Sequence, residues 1–274
     1  PRMEGLTKKS PEGRLSVIKG EKVTIDAGEV HYVFDPKIGQ LISASLKGKA
    51  LLNDLRPVIW RKLDRAEVSV IGKKESSQAV NLNLYEQSVI DWNVEENQSS
   101  IVIKATVNYL VDSKNQFTTI YRYSIGLDGK LDVHYQIQTK VEVPSLPIVG
   151  MAVDAVPELN RLHWLGLGPY DAYANKQSAP ILGVWGGLNK DKETSGTKVM
   201  RWVEQSGEIG VVRISNLGYL EHDTAKPETV NILLGVLGRP EKGRKADESI
   251  PQLLTNTGEY FVGEFSIELL KNNH

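Results

Sequence analysis

Asn160-Arg161-Leu162-His163-Trp164-Leu165-Gly166-Leu167-Gly168-Pro169-Tyr170-Asp171-Ala172-Tyr173-Ala174-Asn175-Lys176 governs the interpretation of this chain. It opens as a strand, with Leu162, Trp164 and Leu165 read toward a core. It then breaks at Gly166, Gly168 and Pro169. Glycine admits backbone angles closed to other residues, and proline fixes one torsion and removes a donor. The strand therefore stops abruptly and sends Tyr170, Asp171, Tyr173, Asn175 and Lys176 into an irregular loop. Two phenols, a carboxylate, an amide and an amine at the mouth of a sheet suit a sugar-facing surface. The same residues also compose an ordinary solvated loop, since connections between strands are polar by default.

Outward from that loop the chain reads as strands. Toward the N-terminus, Val30, Tyr32 and Phe34 share one face with a period of two. Asp35-Pro36-Lys37-Ile38-Gly39 is a turn, and Gln40 to Leu46 is the return strand. A long meander follows. Ile101, Ile103, Ala105, Val107 and Tyr109 lie on one face. After a hairpin signal at Leu127-Asp128-Gly129-Lys130, so do Leu131, Val133, Tyr135 and Ile137, with Asp132, His134 and Gln136 opposite. Ile148 to Val153 is a short buried strand. Beyond the loop, Ile181 to Gly187, Thr197 to Glu204, Ile209 to Ile214, Val230 to Val236 and Tyr260 to Leu270 are strands. Roughly sixteen strands exceed an immunoglobulin sandwich. The expectation is an all-β chain of two large, mainly antiparallel sheets packed face to face. Residues 1–13 read as a linker and 14–270 as one domain.

The chain has 274 residues, with 33 basic against 34 acidic side chains and a net charge of −1. That balance argues against nucleic acid or an anionic membrane as a bulk-charge partner. No apolar run approaches membrane-spanning length. There is no cysteine, so no disulfide framework exists, and the compartment, cytoplasmic or periplasmic, stays open. The chain opens Pro1-Arg2-Met3, which reads as a segment of a longer protein.

Trp164-Leu165-Gly166-Leu167-Gly168-Pro169, followed by Asp171 and Tyr173, resembles the W-x-G-x-G-P-x-E-x-Y motif in the C-terminal domain of glycoside hydrolase family 2 β-galactosidases. Asp171 stands where that family usually has Glu, and Asn175-Lys176 where it tends to have Asp-Arg. Phe34-Asp35, Gly39 and Leu41 are similar to the F-D-x-x-x-G-x-L opening of galactose mutarotase-like supersandwich domains. Pro57, Trp60 and Arg61 keep the frame of the family's L-x-P-x-F-W-R-A-P-T-D-N-D segment, but Asp64-Arg65-Ala66-Glu67 replaces its acidic-amide end. At Asp247-Glu248-Ser249-Ile250-Pro251, where the family reads D-S-W-S-P, the Trp is missing.

The resemblance implies a galactose mutarotase-like β-supersandwich that packs on the catalytic TIM barrel of the same polypeptide. It implies loops lent to a site for a galactoside or related glycan. Tyr170, Asp171, Tyr173, Asn175 and Lys176 are the expected pocket residues, with Arg61 and Asp64 behind them. Glycoside hydrolysis usually needs two carboxyl groups flanking the bond. None here sits in a motif for that work, and nothing alternates strand and helix as a barrel must. No catalytic residue, cofactor or metal ligand is therefore expected; the histidines His31, His134, His163, His222 and His274 lack metal-ligand spacing. Two rivals remain. A free-standing carbohydrate-binding module would show an exposed aromatic platform from among Trp60, Trp92, Trp164, Trp185 and Trp202. An aldose 1-epimerase would need a histidine and a carboxylate as acid and base, for which His134 and Glu264 are candidates.

Overall fold

The computed structural model describes residues 14–59, 63, 68–69, 85–140, 146–172, 180–237 and 260–272, and in them apolar alternation becomes a sheet of sixteen strands. The first five are β1 (Leu15–Lys19), β2 (Val23–Ala27), β3 (Val30–Asp35), β4 (Gln40–Leu46) and β5 (Lys49–Val58). A long meander follows: β6 (Glu86–Glu96), β7 (Ser100–Val111), β8 (Lys114–Gly126) and β9 (Leu131–Thr139). Then come β10 (Ile148–Ala155), β11 (Arg161–Gly168), β12 (Ile181–Leu188) and β13 (Gly196–Gly207). The last are β14 (Gly210–His222), β15 (Thr229–Val236) and β16 (Tyr260–Leu270).

Hydrogen bonding runs without interruption through β1-β2-β3-β4-β5-β10-β15-β14-β16-β9-β8-β7-β6, and β13, β11 and β12 branch from β14. Every pairing is antiparallel. The two expected layers are thus halves of one curled sheet. The β2–β5 half faces the β7–β9 half: the Phe34 and Tyr123 rings lie 5.1 Å apart, and Tyr32 donates to the Gly129 carbonyl at 2.7 Å. Gln40 Nε2 reaches the Tyr109 hydroxyl at 2.7 Å, and that hydroxyl lies 2.6 Å from the Tyr121 hydroxyl. These buried phenols come from β3, β7 and β8 and share one core, and burial holds the Tyr109, Tyr121 and Tyr123 hydroxyls well above their usual pKa.

The faces read from the sequence of β3, β7 and β9 are the buried faces. Leu165 is a correction. Leu162 and Trp164 are in the core, but strict alternation turns Leu165 outward with His163, where it is half-buried. β13 and β14 also run longer than the hairpin read from the sequence, because their pairing continues past Ser215 to His222.

β14 is where the sheet forks. One of its edges pairs with β13 along its length. The other pairs with β16 at Val211–Ser215 and with β15 at Tyr219–His222. The fork opens a hollow lined by residues of β9, β14, β15 and β16, and the β13-β11-β12 branch carries the motif.

Candidate functional site

Three elements position the motif loop. β11 lies between β12 and β13, and the last of its pairs with β12 is Gly168 with Ile181. At Gly166 the β13 register shifts, so that Gly166 faces Met200 while Leu165 faces Trp202. A Cβ at Gly166 would overlap the Val199 carbonyl, so only glycine lets β13 approach. The Trp185 indole lies against Gly168 and donates to the Gly166 and Ile181 carbonyls at 3.3 and 3.2 Å. The glycines of the motif are therefore the floor on which Trp185 and β13 rest.

The shifted register has a chemical consequence. Counting back from buried Val203 by twos would put Arg201 and Val199 inside and Lys198 outside. The extra residue reverses this, so Met200 and Lys198 are buried and Arg201 is exposed. Lys198 Nζ then donates to the Pro169 carbonyl at 2.8 Å and to Asp171 Oδ1 at 3.1 Å, and lies 5.9 Å from the centre of the Trp164 ring. A buried ammonium is retained only when paired, and these partners pair it. Gly196, at φ +93°, gives the Asp171 carboxylate its seat, since a Cβ there would overlap it. Ala172, fully buried, donates its N–H to the Thr197 carbonyl at 2.8 Å.

Between these anchors Tyr170 points outward and is 66% exposed. Of the expected site residues, the structure thus brings together Tyr170 and Asp171. Tyr173, Asn175, Lys176, Arg61 and Asp64 lie outside the described residues, as do Trp60 and the Asp247–Pro251 segment. Sequence reasoning missed Lys198 and Gly196. The available signal was Gly166 itself, since a glycine inside a strand marks a bulge or close approach that resets the partner strand's alternation.

The other candidates fall elsewhere. His134 and Glu264 face each other across β9 and β16, with His134 Nδ1 at 3.1 Å from Glu264 Oε2. Both line the hollow at the fork, about 680 Å³, together with Asp132, Ser215, Ser266 and Val262. Ser266 donates to Asp132 Oδ1 at 2.6 Å. His163 faces opposite to Trp164, on the outer surface. Trp164 is buried, and Trp92, Trp185 and Trp202 are half-buried, so among the described residues no tryptophan forms an open platform. Among the described residues no group of three metal-ligating side chains occurs, and no helix is long and apolar enough to cross a membrane.

Residues 26–196, more than half of the chain, match the protein family described as Beta galactosidase small chain. A β-galactosidase from Priestia megaterium is 25% identical over 191 residues, covering 68% of this chain and 18% of that protein. A β-galactosidase from Lactobacillus delbrueckii subsp. bulgaricus is 22% identical over 236 residues, covering 81% of this chain and 23% of that protein. The chain spans about a fifth of the length of these curated relatives. Among solved structures, a galactose 1-epimerase from Lactobacillus acidophilus superposes with a TM-score of 0.48 at 8% identity, covering 96% of this chain and 100% of that one.

Proposed function

The chain belongs to the β-galactosidase small chain family, and from that premise we propose that it is an accessory domain, residues 14–270, of a family 2 glycoside hydrolase acting on β-galactosides. The catalytic carboxylates come from a barrel elsewhere in the same polypeptide. This chain packs on that barrel and lends the motif loop to the rim of the sugar site.

One observation carries the reading: buried Lys198 grips both the backbone and the carboxylate of the loop, at Pro169 and Asp171, while Tyr170 between them is left exposed. An exposed aromatic on a fixed backbone offers a sugar apolar area and a polar tip at little entropic cost. Tyr170 is the contact residue in this reading, and Asp171 follows it in the chain. Tyr173, Asn175, Lys176, Arg61 and Asp64 are the further candidate contacts in this reading.

The test is hydrolysis of a nitrophenyl β-galactoside by the full polypeptide and by this chain alone. The full polypeptide turns over, and Tyr170→Ala raises KM more than it lowers kcat, because a rim contact contributes mostly uniform binding. Turnover by this chain alone would sink the reading.

The His134–Glu264 pair favours a second reading, an aldose 1-epimerase. Anomer exchange needs a base to take the O1 proton and an acid to protonate the ring oxygen, and this hollow holds one imidazole and one carboxylate 3.1 Å apart. That reading requires this chain to accelerate α/β-galactose exchange, followed by NMR, and His134→Ala to abolish the acceleration.

A further inference from the structure

Among the described residues the sheet has three free edges, β1, β6 and β12. Natural sheets guard such edges with charge, since a row of unpaired backbone groups invites another strand. β6 carries Glu86, Asp91, Glu95 and Glu96, and β1 ends in Lys19, which pairs with Glu96. β12 reads Ile-Leu-Gly-Val-Trp-Gly-Gly-Leu, without a charge or a proline.

Its hydrogen-bond phase shows what the edge offers. Asn189 N–H donates to the Asn160 carbonyl at 2.9 Å, continuing the ladder with β11, whereas Leu188 N–H turns away and donates to Asp191 Oδ2 at 2.8 Å. The β11–β12 register has no shift. In an antiparallel pair, bonded and non-bonded residues alternate. Leu182, Val184 and Gly186 therefore share the phase of Leu188 and aim their N–H and C=O groups away from β11. The Leu182 and Val184 side chains are 59% and 64% exposed. They extend an apolar strip formed by Leu167, Leu165 and Trp202 on the neighbouring strands.

We propose that β12 is a docking strand, whose free edge takes up an extended segment from the remainder of the polypeptide as one further strand of the sheet. The segment carries apolar side chains at alternate positions on the face it shares with Leu182 and Val184. This rests on the accessory-domain reading. Two observations select this occupant. The matched relatives are about four times as long as this chain. β12 also lies directly beside the motif loop, through the Gly168–Ile181 pair, so a domain engaged at Tyr170 reaches it. A second copy pairing through β12 alone would bury little more than one strand's width, well short of the ~1,200 Å² that a stable interface needs.

Hydrogen–deuterium exchange tests the assignment, comparing this chain with the full gene product and with the full gene product carrying Val184→Lys. The Leu182, Val184 and Gly186 amides exchange about tenfold or more slower in the full protein, and the substitution removes that protection. In this chain alone the substitution leaves the melting temperature unchanged, because the side chain is exposed. Equal β12 exchange in both proteins, with the Tyr170 and Asp171 amides protected only in the full one, overturns the docking strand and leaves the accessory reading standing. Protection at neither place, or a gene product with nothing beyond this chain, overturns both. Protection in this chain that grows with its own concentration makes a second copy the occupant and overturns the proposal.

Discussion

Lys198 and Asp171 form an unequal ion pair: the lysine side chain is 3% exposed, the aspartate 44%, and Nζ to Oδ1 is 3.1 Å. Truncating the two partners should therefore have unequal effects. Lys198→Met removes the buried charge, fills similar volume, and leaves a carboxylate that water can rehydrate; it should cost about 1 kcal/mol. Asp171→Ala strands the ammonium in the interior with the Pro169 carbonyl as its remaining anchor of this pair, and should cost about 2–3 kcal/mol. Urea denaturation of both variants decides it, and equal losses would refute the asymmetry.

Gly166 and Gly28 make a second contrast. An alanine Cβ at Gly166 overlaps the Val199 carbonyl, so β11 and β13 must part. At Gly28 nothing lies within 4 Å and only the positive φ of +65° opposes alanine. Gly166→Ala should lose roughly 3 kcal/mol or more, or fail to fold, whereas Gly28→Ala should lose about 1 kcal/mol. Thermal unfolding of the pair measures the difference.

The strands were legible because burial imposes a period of two: Ile101 to Tyr109 and Leu131 to Ile137 could be assigned to the core face from residue type alone. The loop was legible because Gly166, Gly168 and Pro169 form a long pattern. What local sequence does not encode is which strands meet. Tyr32 binds the Gly129 carbonyl across 97 residues, and Asp132 receives Ser266 across 134. His134 could be named a partner of Glu264, but only the β9–β16 register puts the two side by side. Lys198 was hidden for a different reason. A lysine in a strand is read as solvated, and a bulge set by a glycine on the neighbouring strand turned it inward.

Asp54 and Asp154 sit directly opposite each other on β5 and β10, and Arg56 makes the juxtaposition tolerable. Arg56 donates to Asp54 Oδ2 at 2.7 Å and pairs with Asp154, which also accepts from the Thr229 hydroxyl at 2.7 Å. Arg56→Met should cost about 1–3 kcal/mol, less than a fully buried pair because water reaches all three groups. Burial already holds the Asp54 carboxyl above its ordinary pKa despite Arg56. A raised folded-state pKa means that folding favours the proton, and removing Arg56 raises it further. The deficit of the variant should then shrink as pH falls through the carboxylate range. A deficit that stays constant from pH 7 to pH 4 would count against this account.

His222 gives the chain an acid-sensitive point. Its Nδ1 lies 3.3 Å from the Thr194 carbonyl and its Nε2 3.3 Å from the Pro227 carbonyl, so a neutral ring can donate to only one. Burial lowers its pKa, and the two carbonyls oppose that shift without overcoming it. The unfolded chain thus takes up a proton near the ordinary histidine value of about 6.5, while the folded chain resists. Folded-state pKa below unfolded means that stability is complete above that value and declines as pH falls below it. The slope is at most about 1.4 kcal/mol per pH unit for this one group, and it ends at the folded pKa. His222→Gln removes the titration while keeping a donor in the same place. Carboxylates titrate in both proteins, so the informative quantity is the stability of the native chain minus that of the variant, from denaturation series between pH 8 and pH 5. That difference should be flat above about pH 7 and fall below it. A difference independent of pH would show that His222 is protonated equally in both states.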